Sequence, residues 1–173
     1  CGRSTPDTVG AALRAGATHV GFVHFPKSPR HVGADQMRDL SAAVPAHVGR
    51  VAVLVDPADD VLAALVATGA LTALQLHGAE SPQRLAAIRQ RFGLPAWKAI
   101  AVKTRADIDT AKAYTGAADR LLFDAKTPEG TLPGGMGLRF DWTLLRGVSV
   151  PMSWALSGGL DPANVAEAIR LTG

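Results

Sequence analysis

A thiol at Cys1, imidazoles at His24 and His77, carboxylates at Asp56 and Asp124, and ammonium groups at Lys27, Lys103 and Lys126 are the side chains of this sequence best suited to reactive chemistry. Such groups shuttle protons, attack electrophilic centres or ligate metals. Arg30, Gln75 and two glycine-rich stretches, Gly134-Gly135-Met136-Gly137 and Ser157-Gly158-Gly159, complete the set. Cys1 reads either as an inert small hydrophobe or as the free thiol of an N-terminal nucleophile hydrolase. His24, Asp56, His77 and Asp124 are donor types that a metal accepts. Each also has a plain structural use: the histidines as hydrogen-bonded packing residues, Asp56 as a helix cap, Asp124 as a cap or a partner of Lys126. The Gly134–Gly137 stretch reads by itself as a surface loop. Gly158-Gly159 precedes a helix start, where outward N–H groups and the helix dipole favour an anion.

An alternation of short strands and amphipathic helices must position these groups. Strands are expected at His19–Val23, Arg50–Val55, Leu71–Leu76, Ala96–Val102, Arg120–Phe123 and Met152–Leu156. Helices are expected at Pro6–Ala15, Asp35–Ala43, after Asp56-Pro57, after Ser81-Pro82, from Arg105 to about Ala113, and at Pro162–Leu171, with a short helical segment at Asp141–Leu145. Cys1-Gly2 reads as the end of a strand that begins upstream. The repeat of ~20–25 residues is the size of one strand, one helix and their turns, which implies parallel pairing. Seven such units without reversal predict a (β/α)8 barrel. The chain of 173 residues would be one domain over 1–173 that lacks the start of its first strand and its eighth unit. The alternative, an open doubly wound sheet, calls for a Gly-x-Gly-x-x-Gly turn that Gly2-Arg3-Ser4 does not supply.

Barrel enzymes work at the C-terminal ends of their strands. Cys1, His24, Arg30, Asp56, Gln75, His77, Lys103, Asp124, Lys126 and Gly158-Gly159 all fall at such ends, which a purely structural barrel does not require.

Read in order, these segments resemble the phosphoribosylanthranilate isomerase family. Cys1-Gly2 is similar to the close of its opening Lys-Ile-Cys-Gly motif. The stretch from Gly21 through His24, Lys27 and Arg30 to Val32 resembles its second-strand signature, and Gln75-Leu76-His77-Gly78 its fourth strand. Leu121 to Asp124, with Gly134 to Gly137 and Phe140-Asp141-Trp142, resembles its sixth. Leu156 to Leu160 with Asn164-Val165 resembles its seventh. The resemblance covers nearly the whole chain. It implies an Amadori rearrangement in tryptophan biosynthesis, from N-(5-phosphoribosyl)anthranilate to 1-(2-carboxyphenylamino)-1-deoxyribulose 5-phosphate, with no cofactor and no metal.

By the same resemblance Cys1 is the general base and Asp124 the general acid. Cys1 would then need its reference pKa of ~8.5 lowered, and Asp124 its reference of ~3.9 raised. Arg30 would hold the anthranilate carboxylate, His77 would line the pocket near Cys1, and Gly134, Gly135, Gly158 and Gly159 would cradle the phosphate. Met136 stands where the family more often has Thr or Ser, so a hydroxyl that would assist the anion is absent.

Two rivals compete. One is a metal-dependent sugar-phosphate epimerase built on His24, Asp56, His77 and Asp124. The other is a barrel that binds a sugar phosphate without turnover. Composition narrows the field further. Hydrophobic residues make up 47% and charged residues 19%, a folded globular balance. No apolar run approaches the ~20 residues of a membrane span. A net charge of +3, scattered, with 5% aromatics, gives no nucleic-acid stripe. One cysteine and no visible signal peptide fit a cytoplasmic enzyme acting on a small phosphorylated substrate, as a monomer or homodimer.

Overall fold

The computed structural model describes residues 2–128 and 130–173, so the expectation for Cys1 lies outside the described residues. Six strands form one parallel sheet in sequence order: β1 (His19–His24), β2 (Gly49–Leu54), β3 (Ala73–Leu76), β4 (Ala96–Val102), β5 (Arg120–Ala125) and β6 (Trp154–Leu156). Each crossover carries a helical segment. These are α2 (Ala34–Ala42), α3 (Asp59–Ala67), α4 (Pro82–Phe92), α5 (Arg105–Asp109) with a 3-10 turn Thr110–Tyr114, and a second 3-10 turn Trp142–Leu145. α1 (Pro6–Arg14) precedes the sheet and α6 (Val165–Thr172) follows it. No helix among the described residues is long and apolar enough to cross a membrane.

Strand alternation sends one set of side chains outward. Val20 and Phe22, Ala52 and Leu54, Leu74 and Leu76, Ile100 and Val102, and Leu121 and Phe123 join Met37, Leu40, Leu62, Leu65, Leu85 and Ile88 of the helices in one core. The other set, including Val51, Val53, Ala73, Gln75, Ala99 and Asp124, is buried on the inner face. That inner face is concave. The rings of His19 on β1 and Trp97 on β4 meet edge to face at 5.2 Å, and Arg120 on β5 lies over Trp97 at 4.8 Å. In a flat sheet, strands three places apart stand ~14 Å from each other, so the contact requires the sheet to curl into a half-barrel. The ring contact fills the end where the strands begin. Burial, then the Arg120 charge, lowers the His19 pKa.

Local chemistry explains where elements start and stop. α4 begins at Ser81, whose hydroxyl accepts the Arg84 N–H at 3.1 Å, and ends at Gly93 in the left-handed region. The helix expected from Arg105 to about Ala113 tightens to 3-10 at Thr110, whose hydroxyl bonds back to the Asp107 carbonyl at 2.6 Å. The helix expected from Pro162 starts instead at Val165. Asp161 takes the N–H groups of Ala163 and Asn164 at 2.7 and 3.0 Å, and holds those residues in a turn.

Candidate active site

The cavity opens at the ends of the strands opposite the His19–Trp97 contact and holds about 440 Å³. Its wall includes Arg30 after β1, Gln75 and His77 at the end of β3, Asp124 on β5, Gly134 and Gly135 after β5, and Gly158 and Gly159 after β6. Seven of the sequence-expected site residues (Arg30, His77, Asp124, Gly134, Gly135, Gly158 and Gly159) thus line one space.

Asp124 is the buried carboxylate of this wall. Its position on β5 points it inward, and it is 4% exposed. Oδ2 is 3.2 Å from His77 Nε2, and Oδ1 accepts the Ala125 N–H at 2.9 Å. Gln75 Nε2 stands 3.3 Å from His77 Nδ1. With the Gln75 amide donating there, His77 carries its proton on Nε2, the ring nitrogen nearer Asp124. The imidazole and carboxylate thus stand within ion-pair distance of each other at the cavity wall.

Two glycines let the chain close around this carboxylate. A Cβ on Gly134 would sit 2.7 Å from His77 Nε2 and 2.9 Å from Asp124 Oδ2. A Cβ on Gly158 would strike Asp124 Oδ1 and approach the Leu138 carbonyl at 2.9 Å. Both glycines have positive φ, +74° and +83°, which side chains rarely adopt. Gly158→Val is therefore expected to displace the carboxylate and cut turnover by on the order of 10²-fold. A steady-state assay beside a melting curve checks this; a valine variant with parental turnover would contradict it.

Arg30 reaches the loop after β5. Its Nη2 donates to the Gly135 carbonyl at 3.1 Å, and a Cβ on Gly135 or Gly2 would run into its side chain. Four further guanidinium N–H donors remain for an anion in the cavity. The helix-dipole part of the anion expectation at Gly158-Gly159 changes, because α6 starts only at Val165 and Asp161 already occupies the amides ahead of it.

Other expected residues do not line this cavity, although Asp56 and Lys126 line an adjoining one that shares His77 and Gly134 with it. His24 Nδ1 bonds to the Val32 carbonyl at 2.9 Å, and its ring packs on His31 at 4.8 Å. Lys126 pairs with Asp107 at 3.7 Å. Asp56 does not cap α3, whose N-cap is Ala58; it reaches across to the Ala79 N–H at 2.8 Å. Among the described residues, no three His, Cys, Asp or Glu side chains are arranged to hold a metal ion. Sequence reasoning passed over two charges buried beside the site, Glu80 and Lys98. The available signal was a lysine inside the otherwise apolar strand Ala96–Val102.

The chain is similar to known proteins over nearly its whole length. The family model described as N-(5'phosphoribosyl)anthranilate (PRA) isomerase matches residues 1–173. The N-(5'-phosphoribosyl)anthranilate isomerase of Rhodopseudomonas palustris (strain HaA2) is 53% identical over 173 residues, covering 99% of this chain and 79% of that protein. The crystal structure of phosphoribosyl anthranilate isomerase from Thermotoga maritima superposes with a TM-score of 0.87 at 34% identity, over 99% of this chain and 81% of that one. A phosphoribosyl anthranilate isomerase solved in complex with reduced 1-(o-carboxyphenylamino)-1-deoxyribulose 5-phosphate gives a TM-score of 0.82 at 29% identity, over 99% and 80%.

Proposed function

The chain belongs to the N-(5'-phosphoribosyl)anthranilate isomerase family, and on that premise we propose how its residues divide the work of that family's reaction. The reaction is the rearrangement of N-(5-phosphoribosyl)anthranilate to 1-(2-carboxyphenylamino)-1-deoxyribulose 5-phosphate, a step of tryptophan biosynthesis. We read residues 1–173 as a single barrel domain in which β1–β6 take the places of the second to seventh strands of a (β/α)8 barrel.

Two proton transfers are required. A general acid protonates the furanose ring oxygen, the C1–O bond breaks, and the ring opens to an iminium. A general base then removes the C2 proton, and the resulting enolamine tautomerises to the ketone. Asp124 is the acid and Cys1 the base. His77, 3.2 Å from Asp124, orients its carboxyl. Arg30 pairs with the anthranilate carboxylate as a two-pronged fork. Gly158 and Gly159, with Gly134 and Gly135 across from them, receive the phosphate on backbone N–H groups.

The observation that carries this reading is the buried Asp124 carboxylate, facing a cavity of about 440 Å³ and held by His77 between two glycines that admit no side chain. The metal-dependent rival needs His24, Asp56, His77 and Asp124 to converge, whereas His24 and Asp56 are bonded to Val32 and Ala79.

Arg30→Met tests the substrate assignment. Losing a charge-assisted hydrogen bond costs about 1.5–3 kcal/mol, or about 10- to 150-fold in KM, with kcat changed only slightly. An unchanged KM would remove Arg30 from the carboxylate site.

A further inference from the structure

On the helix-facing side of β4, behind the cavity wall, lies a second pair of charges that the proton transfers above do not use. The Lys98 ammonium and Glu80 carboxylate meet at 2.9 Å, with side chains 3% and 2% exposed. Both are richly bonded. Lys98 Nζ also donates to the carbonyls of Gly78 at 2.7 Å and Leu76 at 3.4 Å. Glu80 Oε1 accepts the Asp56 N–H at 2.8 Å, and the Gly78 N–H lies 3.1 and 3.0 Å from its two oxygens. The Gly78 residue is therefore gripped at its N–H and at its carbonyl, and its neighbour in the chain is His77.

The loop after β2 is tied into the same knot. Asp56 adopts φ 43° and accepts the Ala79 N–H at 2.8 Å, and a Cβ on Gly78 would strike its carboxyl. Tyr114, from the 3-10 turn after α5, donates its hydroxyl to the Glu80 carbonyl at 2.7 Å. Burial, then the Glu80 charge, raises the Tyr114 pKa, which keeps that hydroxyl a donor.

A buried ion pair is a poor source of stability, since desolvating two charges offsets most of their attraction and an apolar pair of similar size often serves as well. A fully bonded pair does fix the groups it touches. Here those groups are the main chain at 56, 76 and 78, and the side chain of His77, rooted between the last two, places its Nε2 3.2 Å from Asp124. Resting on the acid role proposed for Asp124, we infer that Glu80 and Lys98 are positioning residues for the isomerisation, holding the Gly78 peptide so that the His77 imidazole meets the Asp124 carboxylate. Neither lines the cavity, so they act through His77.

The test is a kinetic cycle. Glu80→Gln with Lys98→Met removes both charges at nearly constant volume. The pair should still fold cooperatively, and should lower kcat by on the order of 10²-fold while KM stays within about twofold. In a His77→Ala background the same pair should cost less than about threefold, because the two changes act on one contact. Parental kcat in the double variant, or losses that multiply independently of His77, would overturn the inference. If the double variant does not fold, Tyr114→Phe keeps both charges paired and frees only the Glu80 carbonyl. It should lower kcat severalfold in the parent and not in His77→Ala; equal effects in both would overturn the inference. A folded parent without turnover would overturn it as well, one level earlier, by removing the isomerase assignment on which it rests.

Discussion

Asp124→Asn is expected to slow isomerisation by about 10²–10⁴-fold, the usual contribution of a positioned general acid. Asparagine matches aspartate in shape. Its amide oxygen can still accept the Ala125 N–H, as Asp124 Oδ1 does at 2.9 Å, and it fits the space left by Gly134 and Gly158. What it lacks is a proton acidic enough to pass to a leaving ring oxygen. Its NH₂ would also face His77 Nε2, so the imidazole must shift its proton to Nδ1 and the Gln75 amide must turn to meet it. The loss should fall on kcat, with KM and melting temperature near those of the parent. A decrease under about tenfold would mean that another group supplies the proton.

Cys1→Ser should be as damaging, again about 10²–10⁴-fold in kcat. A thiol of reference pKa ~8.5 can be drawn into its thiolate form by nearby positive charge or N–H donors. A serine hydroxyl stays protonated at any pH the fold tolerates, so no base is present to take the C2 proton. The rate of the serine variant should therefore not recover as pH is raised. In the parent, a thiol-specific alkylating reagent should abolish turnover, and saturating substrate should protect against it. Parental turnover by Cys1→Ser would return Cys1 to the reading of a small hydrophobe and require another base.

The frame was legible because its signals are local. The strand Ala96–Val102 is read to the residue, and α4 is bounded by a serine cap and a left-handed glycine that sequence alone displays. The breaks at Thr110 and Asp161 were hidden, because there a side chain outcompetes the helix for backbone groups while helix periodicity runs on through it. The strand-end rule found Arg30, His77, Asp124 and the glycine pairs, all of which line one cavity. It also collected His24 and Asp56, which sit at strand ends but are turned to Val32 and Ala79. That outcome depends on loop paths with no periodic signature. Glu80 and Lys98 were missed for the same reason. A charge followed by Ser81-Pro82 and a lysine on a strand both look solvated until the packing of α4 and Tyr114 against β4 is known. The approach of Gly134 to His77 depends on an irregular segment between Gly130 and Phe140, where neither helix nor strand period constrains the chain.

The decisive measurement is turnover by the purified full natural gene product. Phosphoribosylanthranilate would be generated in the cuvette and its anthranilate fluorescence followed to extinction, with and without a chelator. Rapid loss of fluorescence that the chelator leaves unchanged is the predicted result. A folded protein that binds a sugar phosphate but leaves the fluorescence intact would contradict the isomerase assignment, and would leave a phosphate-binding barrel or an enzyme for another aminoaldose phosphate.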